Sequence, residues 1–170
     1  MERRLKISPK FIAVLAAVLI VIVAAAAWMN RSDDAADGTT VTICMDGNAV
    51  AEYMLSQIMK MDSETQYVKL QSAKEGDEAG DFTGVMLDKL LKDAGVGKYK
   101  TVIMSAGDGY SSAADGKETD RVLIAYSRNG ETLGYFTKGG TGPMRAVFCD
   151  DTYGNRSIKY LTKINCRTGK

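Results

Sequence analysis

Residues 82–95 read Phe82-Thr83-Gly84-Val85-Met86-Leu87-Asp88-Lys89-Leu90-Leu91-Lys92-Asp93-Ala94-Gly95. Apolar residues at 86, 87, 90, 91 and 94 recur at helical spacing and gather on one face. The spacing predicts a helix over Val85–Ala94, and Gly95 stands where the C′ residue of a helix is wanted. Phe82-Thr83-Gly84 leads the chain into it. Everything around this helix reads mostly as strand. Upstream, Val41-Thr42-Ile43-Cys44 is alternating and β-branched, an opening strand closed by an Asp46-Gly47-Asn48 turn. Met54–Met61 has the spacing of a short helix, Tyr67–Leu70 alternates as a strand, and Ser72–Asp81 reads as a charged loop. Downstream, strands are expected at Lys100–Ser105, Arg121–Tyr126, Gly134–Thr137, Met144–Phe148 and Tyr160–Cys166. Asn129-Gly130 is a hairpin turn between two of them. The fold class is α+β with strands dominating, and no internal repeat is present.

Charge and composition narrow the chemistry. The chain has 170 residues with 22 Lys/Arg and 21 Asp/Glu. Five of the cations and one acid lie at or before Arg31, leaving 17 against 20 in the body of the chain. A nucleic-acid surface needs a basic excess, so no nucleic-acid partner is expected. There is no histidine, which removes the commonest general base and metal ligand together. Ser-His-Asp and Cys-His mechanisms are thereby excluded.

The amino-terminal part divides into a basic segment (1–10), an apolar run (11–29) and a polar linker (30–39), followed by the domain itself (40–170). Phe11 to Met29 carries no charge and, at about 1.5 Å per residue, nearly spans the hydrocarbon core of a bilayer. Arg3, Arg4, Lys6 and Lys10 precede it, and Asp33, Asp34 and Asp37 follow. That asymmetry predicts a single-pass anchor with the carboxy-terminal domain on the extracytoplasmic side of the cell membrane. The other reading is a cleaved signal peptide, with Ala25 and Ala27 forming an Ala-x-Ala site.

A second stretch, Gly139–Lys163, alternates glycine turns with cations. Lys138, Arg145, Arg156, Lys159 and Lys163 lie close to flexible backbone, a combination that suits an anionic group such as a phosphate. The same spacing also describes a β-hairpin with solvated charges. The cysteines are Cys44, Cys149 and Cys166. Cys44 and Cys166 lie on the first and last predicted strands, so either that pair forms a disulfide or all three remain thiols. No Cys-x-x-Cys is present to favour thiol redox chemistry, and the long spacings without histidine predict no zinc site.

Taken in order, several of these segments resemble the oxidoreductase molybdopterin-binding domain, the sulfite oxidase-type fold. Phe82-Thr83-Gly84-Val85-Met86-Leu87 with Leu90-Leu91 and Ala94-Gly95-Val96 is similar to that family's Y-T-G-V helix. Ser105-Ala106-Gly107-Asp108-Gly109-Tyr110 resembles its S-A-D-G-Y turn, with one glycine inserted. Leu123-Ile124-Ala125-Tyr126 with Asn129-Gly130-Glu131 resembles its L-A-Y…N-G-E strand and turn. Gly139-Gly140-Thr141-Gly142-Pro143-Met144-Arg145 resembles G-G-P-x-R with additions. Tyr153-Gly154-Asn155-Arg156-Ser157-Ile158-Lys159-Tyr160-Leu161 resembles Y-G-x-R/K-S-V-K-W-L. The resemblance covers roughly residues 41–166.

It implies mixed β-sheets with a few short helices, preceded here by the transmembrane helix, and a pterin cofactor. The implied cofactor-binding residues are Arg156, Ser157, Lys159, Gly140 and Arg145. In the family a cysteine thiolate ligates the metal from an L-x-C-A-G-N segment. The corresponding stretch here, Leu70-Gln71-Ser72-Ala73-Lys74-Glu75, puts Ser72 at that position. A neutral hydroxyl is a poor substitute for a soft thiolate. The expected function is therefore a non-catalytic binding or interaction module on the membrane's outer side. The alternative is a molybdopterin-dependent oxidoreductase, or a subunit of one, with a redox or surface protein as its partner.

Overall fold

A computed structural model describes residues 39–72, 76–135 and 138–169. Two β-sheets carry the architecture. In the first, β1 (Thr40–Met45), β2 (Asn48–Met54), β5 (Thr101–Ala106), β6 (Ser111–Asp115) and β10 (Leu161–Arg167) run in the order β2-β1-β10-β5-β6. β1 and β10 are parallel, and the other neighbours in this sheet are antiparallel. In the second, β3 (Glu64–Leu70), β4 (Glu78–Met86), β7 (Val122–Arg128) and β8 (Glu131–Thr132) follow one another, and β9 (Arg145–Phe148) also pairs with β7. Among the described residues two short α-helices complete it, α1 (Leu55–Ile58) and α2 (Leu87–Asp93).

The central strands of the second sheet are buried on both faces, and their alternation sorts side chains into two cores. Val122 and Ile124 of β7, with Ala146 and Phe148 of β9, join Leu87, Leu90 and Leu91 of α2 and Val41, Ile43, Met104 and Ile164 of the first sheet. Leu123, Ala125 and Val147 point the other way, onto Val68, Leu70 and Phe82. The first core lies between the sheets. The second lies beneath β3 and β4 and leads into the site described below.

Gly84 shows why the strand-to-helix segment is built as it is. A β-carbon there would lie 2.2 Å from the Ile124 carbonyl oxygen, so only glycine lets β4 approach β7 at the bulge between Thr83 and Gly84. The helix begins later than its spacing predicts. Val85 and Met86 pair with Ile124 and Leu123 as the end of β4, because a ladder bond to β7 is available before the chain can turn. At the far end, Gly95 has φ 70°. Its N–H donates to the Lys92 carbonyl (3.1 Å) and that of Val96 to Leu91 (2.9 Å), the two bonds of a Schellman cap.

Other differences from expectation follow the same logic. β2 and β6 are strands that the periodicity did not announce, because both are largely exposed edges and have little apolar alternation. Glu78–Asp81, expected as loop, pairs with Tyr67–Leu70. The strand expected at 134–137 is absent at Gly134 and Tyr135, where Tyr135 makes one isolated bridge to Gly142, and its last two residues lie outside the described residues. The predicted membrane segment 11–29 also lies outside them. Among the described residues no helix is long and apolar enough to cross a membrane.

The first and last strands are neighbours, as expected, but Cys44 and Cys166 are not bonded, and all three cysteines are thiols. Cys44 pairs in register with Asn165, and Cys166 with Met45. The two thiols therefore stand one position apart and face opposite sides of the sheet.

Candidate functional site

At the end of the second core the chain leaves a cleft of about 1090 Å³. Its lining comes from five places: the end of β3 and the segment after it, the start of β4, the β5–β6 turn, Arg128 at the end of β7, and the stretch from Thr141 to Tyr160. Short backbone contacts hold these pieces together. The Gln71 N–H donates to Thr152 (2.8 Å) and Gly154 donates back to Gln71 (3.1 Å), a small parallel bridge across the cleft's edge. Gly107 donates to the Tyr160 carbonyl at 3.0 Å. The Tyr110 hydroxyl donates to the Asn155 carbonyl. Tyr110 and Tyr153 both line the cleft and are well exposed, so they form its mouth.

Of the six residues singled out by sequence, Ser72, Arg145, Ser157 and Lys159 all line this cleft. The other two lie behind it. Gly140 is a packing position: a β-carbon would meet the Gly134 carbonyl carbon at 2.5 Å, and its own carbonyl accepts from the Tyr160 hydroxyl at 2.7 Å. Arg156 turns outward. Its guanidinium lies 4.0 Å over the Phe148 ring and pairs with Glu118 (2.9 Å) and Asp151 (3.3 Å). This pairing holds the Glu118 carboxyl below its ordinary range. Arg156 thus braces the wall through ion pairs and a stacked ring.

The residues that sequence reasoning missed form the charged floor. Glu78 opens β4 opposite Leu70, and Phe82 lies opposite Arg128 of β7. Alternation puts Glu78 and Phe82 on one face of β4, and Arg145 shares the face of Val147 on β9. One Glu78 oxygen accepts from Arg128, and the other accepts from Arg145 Nη1 at 2.8 Å. Arg145 is only 2% exposed and lies over the Phe82 ring at 5.5 Å. Burial pushes the Glu78 carboxyl up, but the Arg145 and Arg128 guanidiniums more than offset this and hold it below the usual carboxylate range. Two buried donors nearby have no hydrogen-bond partner among the described residues, Arg145 Nε and Ser157 Oγ. The sequence signal for Glu78 was its two-residue spacing from Gly80 and Phe82, submerged in what looked like a charged loop.

Thiol chemistry lies elsewhere. None of the three cysteines lines the cleft. Burial, reinforced by Asp150, pushes the half-buried Cys149 thiol up to about 11, and burial pushes Cys166 up to about 12. Both are protonated at neutral pH and poor nucleophiles. No group of His, Cys, Asp and Glu among the described residues is arranged to hold a metal ion.

Two face-packed sheets with one mixed, a strand-to-helix unit closed by a glycine cap, and a cleft at one core's end define a sulfite oxidase-type architecture. The chain belongs to the oxidoreductase molybdopterin binding domain family, which matches residues 29–170. Among solved structures it is similar to the sulfane dehydrogenase SoxCD from Paracoccus pantotrophus, with a TM-score of 0.66 and 17% identity. The likeness covers 79% of this chain and 39% of that one, so it bears on the fold, and the chain spans well under half the length of that protein. A comparison with curated proteins returns no significant match.

Proposed function

We propose that the domain is a non-catalytic binding module that keeps its family's cleft without its family's metal chemistry. The observation that carries this reading is the donor set. Ser72 presents a hydroxyl from the cleft wall, and no cysteine lines it. A soft metal centre is held by thiolate, whereas a serine hydroxyl keeps its proton at neutral pH and is a hard donor. The anion-holding set is altered as well. Arg145 is engaged by Glu78, and Arg156 is directed to Glu118 and Asp151. The residues present therefore do not fit a phosphate-bearing pterin with a thiolate-ligated metal.

What remains suited to binding is a cleft with a balanced charged floor and two tyrosines at its mouth. We further place the module on the outer side of the membrane, tethered by residues 11–29. The uncharged run and the basic residues before it support this placement.

The test is metal and pterin content. The full chain is produced in a host that makes molybdopterin, purified in detergent, and assayed for molybdenum by mass spectrometry and for pterin by fluorescence after oxidation. The expected result is neither in the wild type. Stoichiometric molybdenum would overturn the reading and establish the alternative, a molybdopterin-dependent oxidoreductase. Metal acquired by Ser72→Cys alone would identify position 72 as the point at which the chemistry was lost.

A further inference from the structure

We propose that Glu78 is a resident counter-anion: it takes the place between Arg128 and Arg145 that an anionic ligand group would occupy, and so closes the cleft floor to anionic ligands. A guanidinium is a planar fork suited to an oxyanion held through two parallel bonds. Arg145 is almost completely buried, yet part of that fork is engaged by a carboxylate from the chain itself. The second Glu78 oxygen engages Arg128, so a single carboxylate ties both guanidiniums of the cleft floor. An incoming phosphate or carboxylate would meet the Glu78 charge at the donors it needs, and like charges so placed oppose binding strongly.

The other donors of these residues offer an anion no alternative. Arg145 Nε and Ser157 Oγ are unpartnered but fully buried, so an incoming group cannot use them in place of the donors that Glu78 holds. Among the described residues the lining carries Asp77, Glu78 and Asp108 against Arg128, Arg145 and Lys159, a balance that also gives an anion no net attraction.

This inference deepens the reading of the domain as a binding module and rests on it. Its test uses no metal, so the two can fail separately. The probe is inorganic phosphate, titrated calorimetrically into the detergent-solubilised full chain at constant ionic strength, with chloride as the control. The wild type is expected to show no saturable binding at millimolar phosphate. Glu78→Gln is expected to bind it at least on the order of 100-fold more tightly, and Glu78→Gln with Arg145→Met to lose that gain. Phosphate binding by the wild type as tight as by Glu78→Gln would overturn the proposal, as would no gain in Glu78→Gln. Where Glu78→Gln is unfolded in chloride, phosphate is expected to restore its near-ultraviolet circular dichroism by replacing the missing carboxylate. A chain that stays unfolded in phosphate as well counts against the proposal.

Discussion

Replacing Arg145 by methionine tests the charged floor most directly. The substitution keeps a long apolar stem against Phe82 but removes the guanidinium 2.8 Å from Glu78 and 5.5 Å from the ring. Breaking a buried ion pair from one side costs about 3–5 kcal/mol, because the surviving charge is stranded. Here Glu78 is not fully stranded. Its side chain is 21% exposed and still has Arg128, which places the cost toward the lower end. Loss of the ring contact adds about 0.5–1 kcal/mol, and removal of the unpartnered Nε returns about 1 kcal/mol. The net expectation is a loss of about 2–4 kcal/mol at pH 7, read as a shift of the urea midpoint at unchanged slope.

The pH dependence supplies a second check on the same variant. The folded Glu78 carboxyl lies below its ordinary value of 4.5, so its stabilisation is complete above that value and is lost as pH falls through the folded one. The gap between wild type and Arg145→Met should therefore be widest near neutrality and narrow in acid. The double variant Arg145→Met/Glu78→Gln should be less destabilised than the sum of its parts. A cost under about 0.5 kcal/mol at pH 7, typical of an exposed pair, would refute the view that this carboxylate and guanidinium form the buried floor.

Further outcomes follow from other contacts. Gly84→Ala should destabilise the domain by about 2 kcal/mol or more in urea titration, since the new methyl group meets the backbone of Ile124 rather than a yielding side chain. A neutral effect there would show that β4 and β7 are not so close. Arg156→Gln should lower stability by about 1 kcal/mol while leaving phosphate titrations of the Glu78→Gln background unchanged, because Arg156 is committed to Phe148 and Glu118. With iodoacetamide at pH 7, Cys149 should react slowly in the folded chain and Cys44 and Cys166 only on unfolding, followed by mass spectrometry. Rapid labelling of Cys149 would contradict its raised pKa.

The parts of the fold visible in the sequence were those where burial imposes a period. Leu87, Leu90 and Leu91 marked α2, and the runs at Arg121–Tyr126 and Met144–Phe148 marked strands that the structure covers on both faces. β2 and β6 escaped because an exposed edge needs no apolar alternation. The helix boundary at Leu87 was decided by a ladder to β7, a contact between residues nearly forty positions apart that no local spacing records. In the site, the order of motifs assembled Ser72, Arg145, Ser157 and Lys159 around one cleft. Side-chain direction was beyond its reach. Arg156 and Ser157 are adjacent in sequence, yet the first faces outward to Glu118 and the second lines the cleft. Glu78 was missed for the converse reason, since a carboxylate in a polar stretch has no local mark of the two guanidiniums it will meet.

The parallel pairing of β1 with β10 has a consequence for how the domain comes into being. β10 lies between β1 and β5, so until residues 161–167 arrive the first sheet is only two hairpins with no ladder joining them. Ile164 and Cys166 are also missing from the core until then. The sheet therefore cannot close until β10 has been added to the hairpins that precede it. Its assembly waits on a segment far along the chain from β1, as expected for topologies dominated by distant contacts. A chain lacking residues 161–167 would keep two separate hairpins in place of one sheet, so this single strand is the lock of the first sheet.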